Sequence, residues 1–182
     1  QRNDGRWHIE ETWPPEDLSI LQVPGDGGSQ RVSSTSGGFE ITLEISDGPI
    51  HISGLPTLHT DVSTGLCNGG QLFVTMKDGE SGLRLGHATM DVRYRDGGYE
   101  SKPTASLSSY RMLMEFNPMD VIVPSGILTL QFSESGEDYI PSPCAVNGLL
   151  VNGFDLGLPL IDRWGEHEAW FDVPPWWEVQ EM

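Results

Sequence analysis

At 182 residues the chain is long enough for one sizeable core, and 27 acidic against 10 basic residues leave it a net charge of −17. Nucleic acid and anionic membrane surfaces are poor partners for such a protein, because both are held through clustered Lys and Arg. Hydrophobic residues at 37%, spread along the whole length, argue against disorder, and no run approaches the roughly 18–20 apolar residues of a membrane-spanning helix.

In chain order, the first distinctive stretch is 25–38, rich in Gly and Ser, which predicts a mobile loop. Residues 39–46 then alternate strictly. Phe39, Ile41, Leu43 and Ile45 are separated by Glu40, Thr42, Glu44 and Ser46, the signature of a strand with one dry and one wet face. The same period returns in Leu72, Val74 and Met76, and in Ala88, Met90, Val92 and Tyr94. It returns again in Met112, Met114 and Phe116, in Leu128, Leu130 and Phe132, and in Ala169, Phe171 and Val173.

Turn chemistry separates these runs: Asp47-Gly48, Asn68-Gly69-Gly70, Asp78-Gly79, Asp96-Gly97-Gly98, Ser125-Gly126, Asn147-Gly148 and Asn152-Gly153. Asn and Gly tolerate the positive φ that tight hairpins need. Short half-buried strands at such intervals predict an all-β fold, an antiparallel β-sandwich. Periodicity alone does not separate a jelly roll from an immunoglobulin-like topology. The chain reads as one domain, 1–182, with a core over 16–162 and a Trp-rich tail over 163–182. Its start at Gln1 fits a processed protein or a piece of something longer.

Catalytic signatures are absent from the sequence. No serine has the flanking glycines of G-x-S-x-G, the strained turn that exposes a hydrolase nucleophile. Gly79-Glu80-Ser81-Gly82 has the wrong spacing and reads as a hairpin turn. His8, His51, His59, His87 and His167 form no H-x-x-x-H pair, and His51 and His59 fall in strand-like stretches as packed or surface residues. A triad assembled from distant residues stays open.

Three binding features remain. Glu134, Glu137 and Asp138 follow a strand and are the candidate Ca²⁺ ligands, though they lack the spaced Asp/Asn pattern of a calcium loop, which favours the reading as a solvated turn. Trp164, Trp170, Trp176 and Trp177, beside Pro174-Pro175, are the candidate ligand-binding residues. They would either stack on sugar rings, as in a free-standing carbohydrate-binding module, or dock on the domain itself or a neighbouring domain. Cys67 and Cys144 pair if the fold brings them together, which spacing does not decide.

Several stretches, in order, resemble one family. They are Arg6-Trp7-His8 with Trp13-Pro14-Pro15, then Ile52-Ser53-Gly54-Leu55-Pro56-Thr57-Leu58, then Asp61-Val62-Ser63-Thr64 and Leu72-Phe73-Val74. Gly86 through Tyr94-Arg95-Asp96-Gly97 follows, and then Asn117-Pro118 with Val121-Ile122-Val123-Pro124-Ser125-Gly126 and residues 128–133. Together they resemble the C-terminal domain of Xaa-Pro dipeptidyl-peptidases and cocaine-esterase-type serine hydrolases. Ile127 stands where the family often has His, and Gln71 where it has Asp. The resemblance implies a jelly-roll, galactose-binding-like sandwich without a catalytic residue of its own. It further implies an α/β-hydrolase catalytic domain as partner, in the same chain or as a separate fragment, on which the sandwich packs and whose substrate cleft it helps to wall. Homo-oligomer contacts are a further implied role. No cofactor is implied.

Overall fold

The computed structural model describes Trp13, Pro15, residues 18–134 and residues 144–161. Its strands are β1 (Ser19–Val32), β2 (Phe39–Glu44), β3 (Ile50–Gly54), β4 (Thr57–Thr64), β5 (Gln71–Asp78), β6 (Arg84–Asp91), β7 (Ser109–Glu115), β8 (Met119–Val123), β9 (Ile127–Ser133) and β10 (Leu149–Leu160). The only helical element among the described residues is a 3-10 turn at Val92–Tyr94. One sheet runs β7-β4-β10-β3-β8, with β1 on the other side of β10, and the second runs β2-β9-β5-β6.

Two of these strand pairs are interrupted long strands. β3 pairs with β8 and β4 with β7 in nearly continuous register, Gly54 opposite Met119 and Thr57 opposite Glu115. The interruptions contain Pro56 and Pro118, each lacking the N–H that a ladder requires. They face one another, and the Phe116 N–H donates to the Pro56 carbonyl (3.0 Å). Counted this way, eight strands form four nested antiparallel pairs. The first lies against the last (β1 on β10), the second against the seventh (β2 on β9), the third against the sixth, and the fourth against the fifth (β5 on β6). A long hairpin wrapped over itself into two sheets is the jelly-roll arrangement, with its tip at residues 79–83.

The core lies between the sheets. Leu58, Leu72, Val74, Met76, Met112, Met114, Leu128, Leu130, Phe132 and Leu156 are buried there, from both sheets. The alternation read in the sequence is real: β9 buries every second residue, and β2 alternates partly buried with exposed ones. An aromatic column crosses the interior. Phe39 stacks on Phe132 (centroids 4.8 Å apart), and Phe132 meets Phe154 of the opposite sheet at 5.5 Å. Gly25 lies behind Phe154, where a Cβ would fall 2.0 Å from the ring.

Three expectations are corrected. The Gly/Ser-rich stretch 25–38 is not a loop throughout, because its first part is the end of β1, paired with β10 around a bulge between Asp26 and Gln30. An edge strand needs only backbone pairing, so Pro24 and the glycines are compatible with it. Asn152-Gly153 is not a turn. It lies inside β10, where Asn152 is the extra residue of a bulge opposite Val62 and Asp61. The strand expected through Tyr94 ends at Asp91, whose carboxylate accepts the Arg93 N–H (2.8 Å) and caps the 3-10 turn. The strand expected at Ala169, Phe171 and Val173 lies outside the described residues.

Thr60 in β4 is fully buried between Leu58 and Val62, and its hydroxyl finds no hydrogen-bond partner. An unpaired buried hydroxyl costs about 1–3 kcal/mol, and valine has the same shape without it. Thr60→Val is therefore expected to raise the unfolding free energy by about 1 kcal/mol in a denaturant titration. A loss of stability would show that the hydroxyl is paired after all. Phe132→Ala, which empties the centre of the aromatic column, is expected to cost about 3–5 kcal/mol in the same assay.

Candidate functional site

Four connections gather at one end of the sandwich, because β1–β2, β4–β5, β6–β7 and β9–β10 all cross between sheets there. They are tied together tightly. Cys67, after β4, forms a disulfide with Cys144, before β10, across 77 residues of sequence. The Leu107 N–H donates to the Gly65 carbonyl (3.0 Å), and Ser106 Oγ donates to the Leu66 carbonyl (3.0 Å). Thr64 Oγ1 donates to the Ala105 carbonyl (2.7 Å) and accepts from the Ser108 N–H (3.0 Å). The Ser34 N–H donates to the Ala145 carbonyl (2.9 Å), and Arg31 Nη1 donates to the Asn147 carbonyl. Gly148 sits at φ +57° with the Val32 carbonyl 1.8 Å from where a Cβ would be, so the approach of β10 to β1 requires glycine.

On this fixed scaffold Leu66, Leu107 and Val146 stand exposed, at 75%, 73% and 65%. The hydrogen bond from Leu107 to Gly65, and Asn147 atoms 3.2 Å from where a Gly65 Cβ would be, bring the three connections side by side. The surrounding electrostatics are unusual for this chain. Segments 31–38, 64–70, 104–109 and 144–148 contain no Asp or Glu, and Arg31 is their only formal charge, whereas the remainder of the β6–β7 and β9–β10 connections carries Asp96, Glu100, Glu134, Glu137 and Asp138 in sequence. At the opposite end, Glu44, Asp47, Asp78 and Glu80 flank the turns.

Polar clusters elsewhere are self-satisfied. On the outer face of the larger sheet, Arg111 bridges Asp61 (3.2 Å) and Asp155 (2.6 Å), and the hydrogen bond to Asp155 holds its guanidinium above its ordinary pKa. Arg93 is raised likewise by its hydrogen bonds to Asp91. Arg84 donates to His87 Nδ1 (2.7 Å) beside a cleft of about 320 Å³ that runs along the Pro118 interruption. His51 Nε2 meets Asp120, and Ser53 lies opposite Asp120 in the β3–β8 register. These are the residue types of a triad, but Ser53 is buried, out of reach of a substrate carbonyl.

Of the residues singled out in the sequence, Glu134 is 3% exposed just past β9, which removes it from a solvated turn, and no group of three metal-type ligands occurs among the described residues. Glu137, Asp138, Trp164, Trp170, Trp176 and Trp177 lie outside the described residues. The exposed trio Leu66, Leu107 and Val146 escaped the sequence reading.

The sequence matches no family model and no curated protein. Solved structures are similar in fold. A CocE/NonD family hydrolase from Staphylococcus aureus superposes with a TM-score of 0.58 at 10% identity, over 85% of this chain and 39% of its own. An aminopeptidase from a marine sediment Thaumarchaeota archaeon gives 0.61 at 13% identity, over 88% and 39%. An α-amino acid ester hydrolase gives 0.53 at 13% identity, over 88% and 35%. The chain thus has the fold of little more than a third of each of these hydrolase chains.

The disulfide closes a long loop and fastens the start of β10. Replacing both cysteines (Cys67→Ser with Cys144→Ser) is expected to lower stability by about 2–4 kcal/mol, with a matching fall when the parent chain is unfolded in a thiol reductant. Unchanged midpoints would mean that the connections are held by their hydrogen bonds alone.

Proposed function

We propose that this chain is an accessory, non-catalytic jelly-roll domain of a serine hydrolase of the Xaa-Pro dipeptidyl-peptidase and cocaine-esterase type. It packs on an α/β-hydrolase catalytic domain and forms part of the wall of its substrate cleft. The observation that carries the reading is the partial match. Three hydrolase structures contain this sandwich over 35–39% of their chains, leaving the larger share for the rest of the enzyme. The ordered sequence resemblance over about residues 6–135 points to the same family. The absent nucleophile elbow and the burial of His51 and Ser53 fit a catalytic serine located elsewhere.

The test is fluorophosphonate labelling of the native protein, purified from its source with an antibody against this chain, followed by peptide mapping. The expected result is a labelled serine on a peptide outside the 182 residues, with the isolated chain unlabelled. A label on a serine within the 182 residues would overturn the proposal. So would an unreactive native protein of 20.1 kDa.

A further inference from the structure

We infer that the Cys67–Cys144 disulfide is the standing state of this chain in its cell, and that the protein folds and works in an oxidising compartment outside the cytosol. The inference concerns the chain alone and holds with or without the accessory-domain reading. Joined to that reading, it places the hydrolase's substrates outside the cytosol too. Three observations carry it. The chain has two cysteines, and the nested strands bring them together across 77 residues with their Cα atoms 5.6 Å apart, the separation a disulfide needs. Both cysteines sit on backbone that is fixed by other bonds. Leu66 and Asn68, on either side of Cys67, accept hydrogen bonds at their carbonyls from Ser106 Oγ (3.0 Å) and Thr104 Oγ1 (3.1 Å). The Cys144 carbonyl accepts from the Asn147 N–H (3.0 Å) and the Gly148 N–H (2.9 Å). The two sulfurs are therefore juxtaposed by the fold, and oxidation needs no rearrangement of it. Finally, Cys144 is 8% exposed, so a reductant reaches the bond poorly.

The arrangement is that of a staple and not of a redox centre. Catalytic and sensing pairs are exposed and close in sequence, as in Cys-X-X-Cys, where the low thiol pKa makes them exchange. Here the partners are 77 residues apart and one sulfur is buried. A structural zinc site takes four ligands, and among the described residues no group of three His, Cys, Asp or Glu is placed to hold a metal. Structural disulfides of this kind persist in secreted, periplasmic and surface proteins. They are rare where glutathione and thioredoxin hold thiols reduced.

Differential alkylation of the native protein tests this. Source cells are quenched in trichloroacetic acid, and free thiols are capped with N-ethylmaleimide under denaturing conditions. The protein is then reduced, alkylated with iodoacetamide and captured with the antibody, and the peptides holding Cys67 and Cys144 are read by mass spectrometry. Both are expected to carry the second label over the first by about tenfold or more. In parallel fractionation, the protein is expected with the secreted or envelope-exposed material and apart from a cytosolic marker enzyme. First label predominating at both positions would overturn the inference. So would a pair that is reduced in growing cells and bridges only after an oxidant is added, which would make it a redox switch. A bridged protein that fractionates with the cytosolic marker would overturn the compartment. If the bridge and the compartment are found but the native protein has no fluorophosphonate-reactive serine, this inference stands and the accessory-domain reading falls.

Discussion

The fold depends on the pairing of its first strand with its last described one. β10 lies between β1 on one side and β4 and β3 on the other, and supplies the hydrogen bonds that make one sheet of them. β1 has no other strand partner among the described residues. The pairing joins Ser19 to Leu160 and Val32 to Leu149, so its loop-closure entropy is met only when nearly the whole chain is in place. A topology so dominated by non-local pairs folds slowly for its size. The aromatic column adds side chains to the same constraint, since Phe154 of β10 reaches Phe132 of the other sheet and leaves room behind it only for Gly25 of β1.

This nesting also explains where the exposed loop-end residues come together. Wrapping a hairpin over itself sends four sheet-to-sheet connections to one end of the molecule and leaves the hairpin tip at the other. Leu66, Leu107 and Val146, about 40 residues apart in sequence, become neighbours only through that wrapping. The disulfide fastens two of the three connections at the point where β10 begins, so the stability of the sheet and the shape of its loop end are linked. On the outer face of the same sheet Arg111 bridges Asp61 and Asp155.

Much of the sandwich was legible because alternation survives wherever one strand face is wet, as in β2 and β9. Three elements were hidden for physical reasons. β3, although strand-like around His51, is buried on both faces and so shows no alternation that would assign its faces. β1 is an edge strand held by its backbone, so its glycines and proline looked like loop chemistry. The bulge in β10 uses Asn152-Gly153, the same dipeptide that makes hairpin turns, and only the neighbours on both sides of the strand distinguish the two. The jelly-roll order itself came from resemblance and not from periodicity. The loop-end surface was the least legible feature, because single exposed leucines carry no sequence signal until tertiary pairing assembles them.

The central claim is that β10 closes the sandwich. It is tested most directly by denaturant unfolding of a chain ended after Gly148, followed by far-UV circular dichroism beside the 182-residue chain. The full chain is expected to unfold in one cooperative transition. The shortened chain is expected to show none, since β1 has lost its partner and β4 its central neighbour. A cooperative transition in the shortened chain, with a midpoint near that of the full chain, would contradict the account.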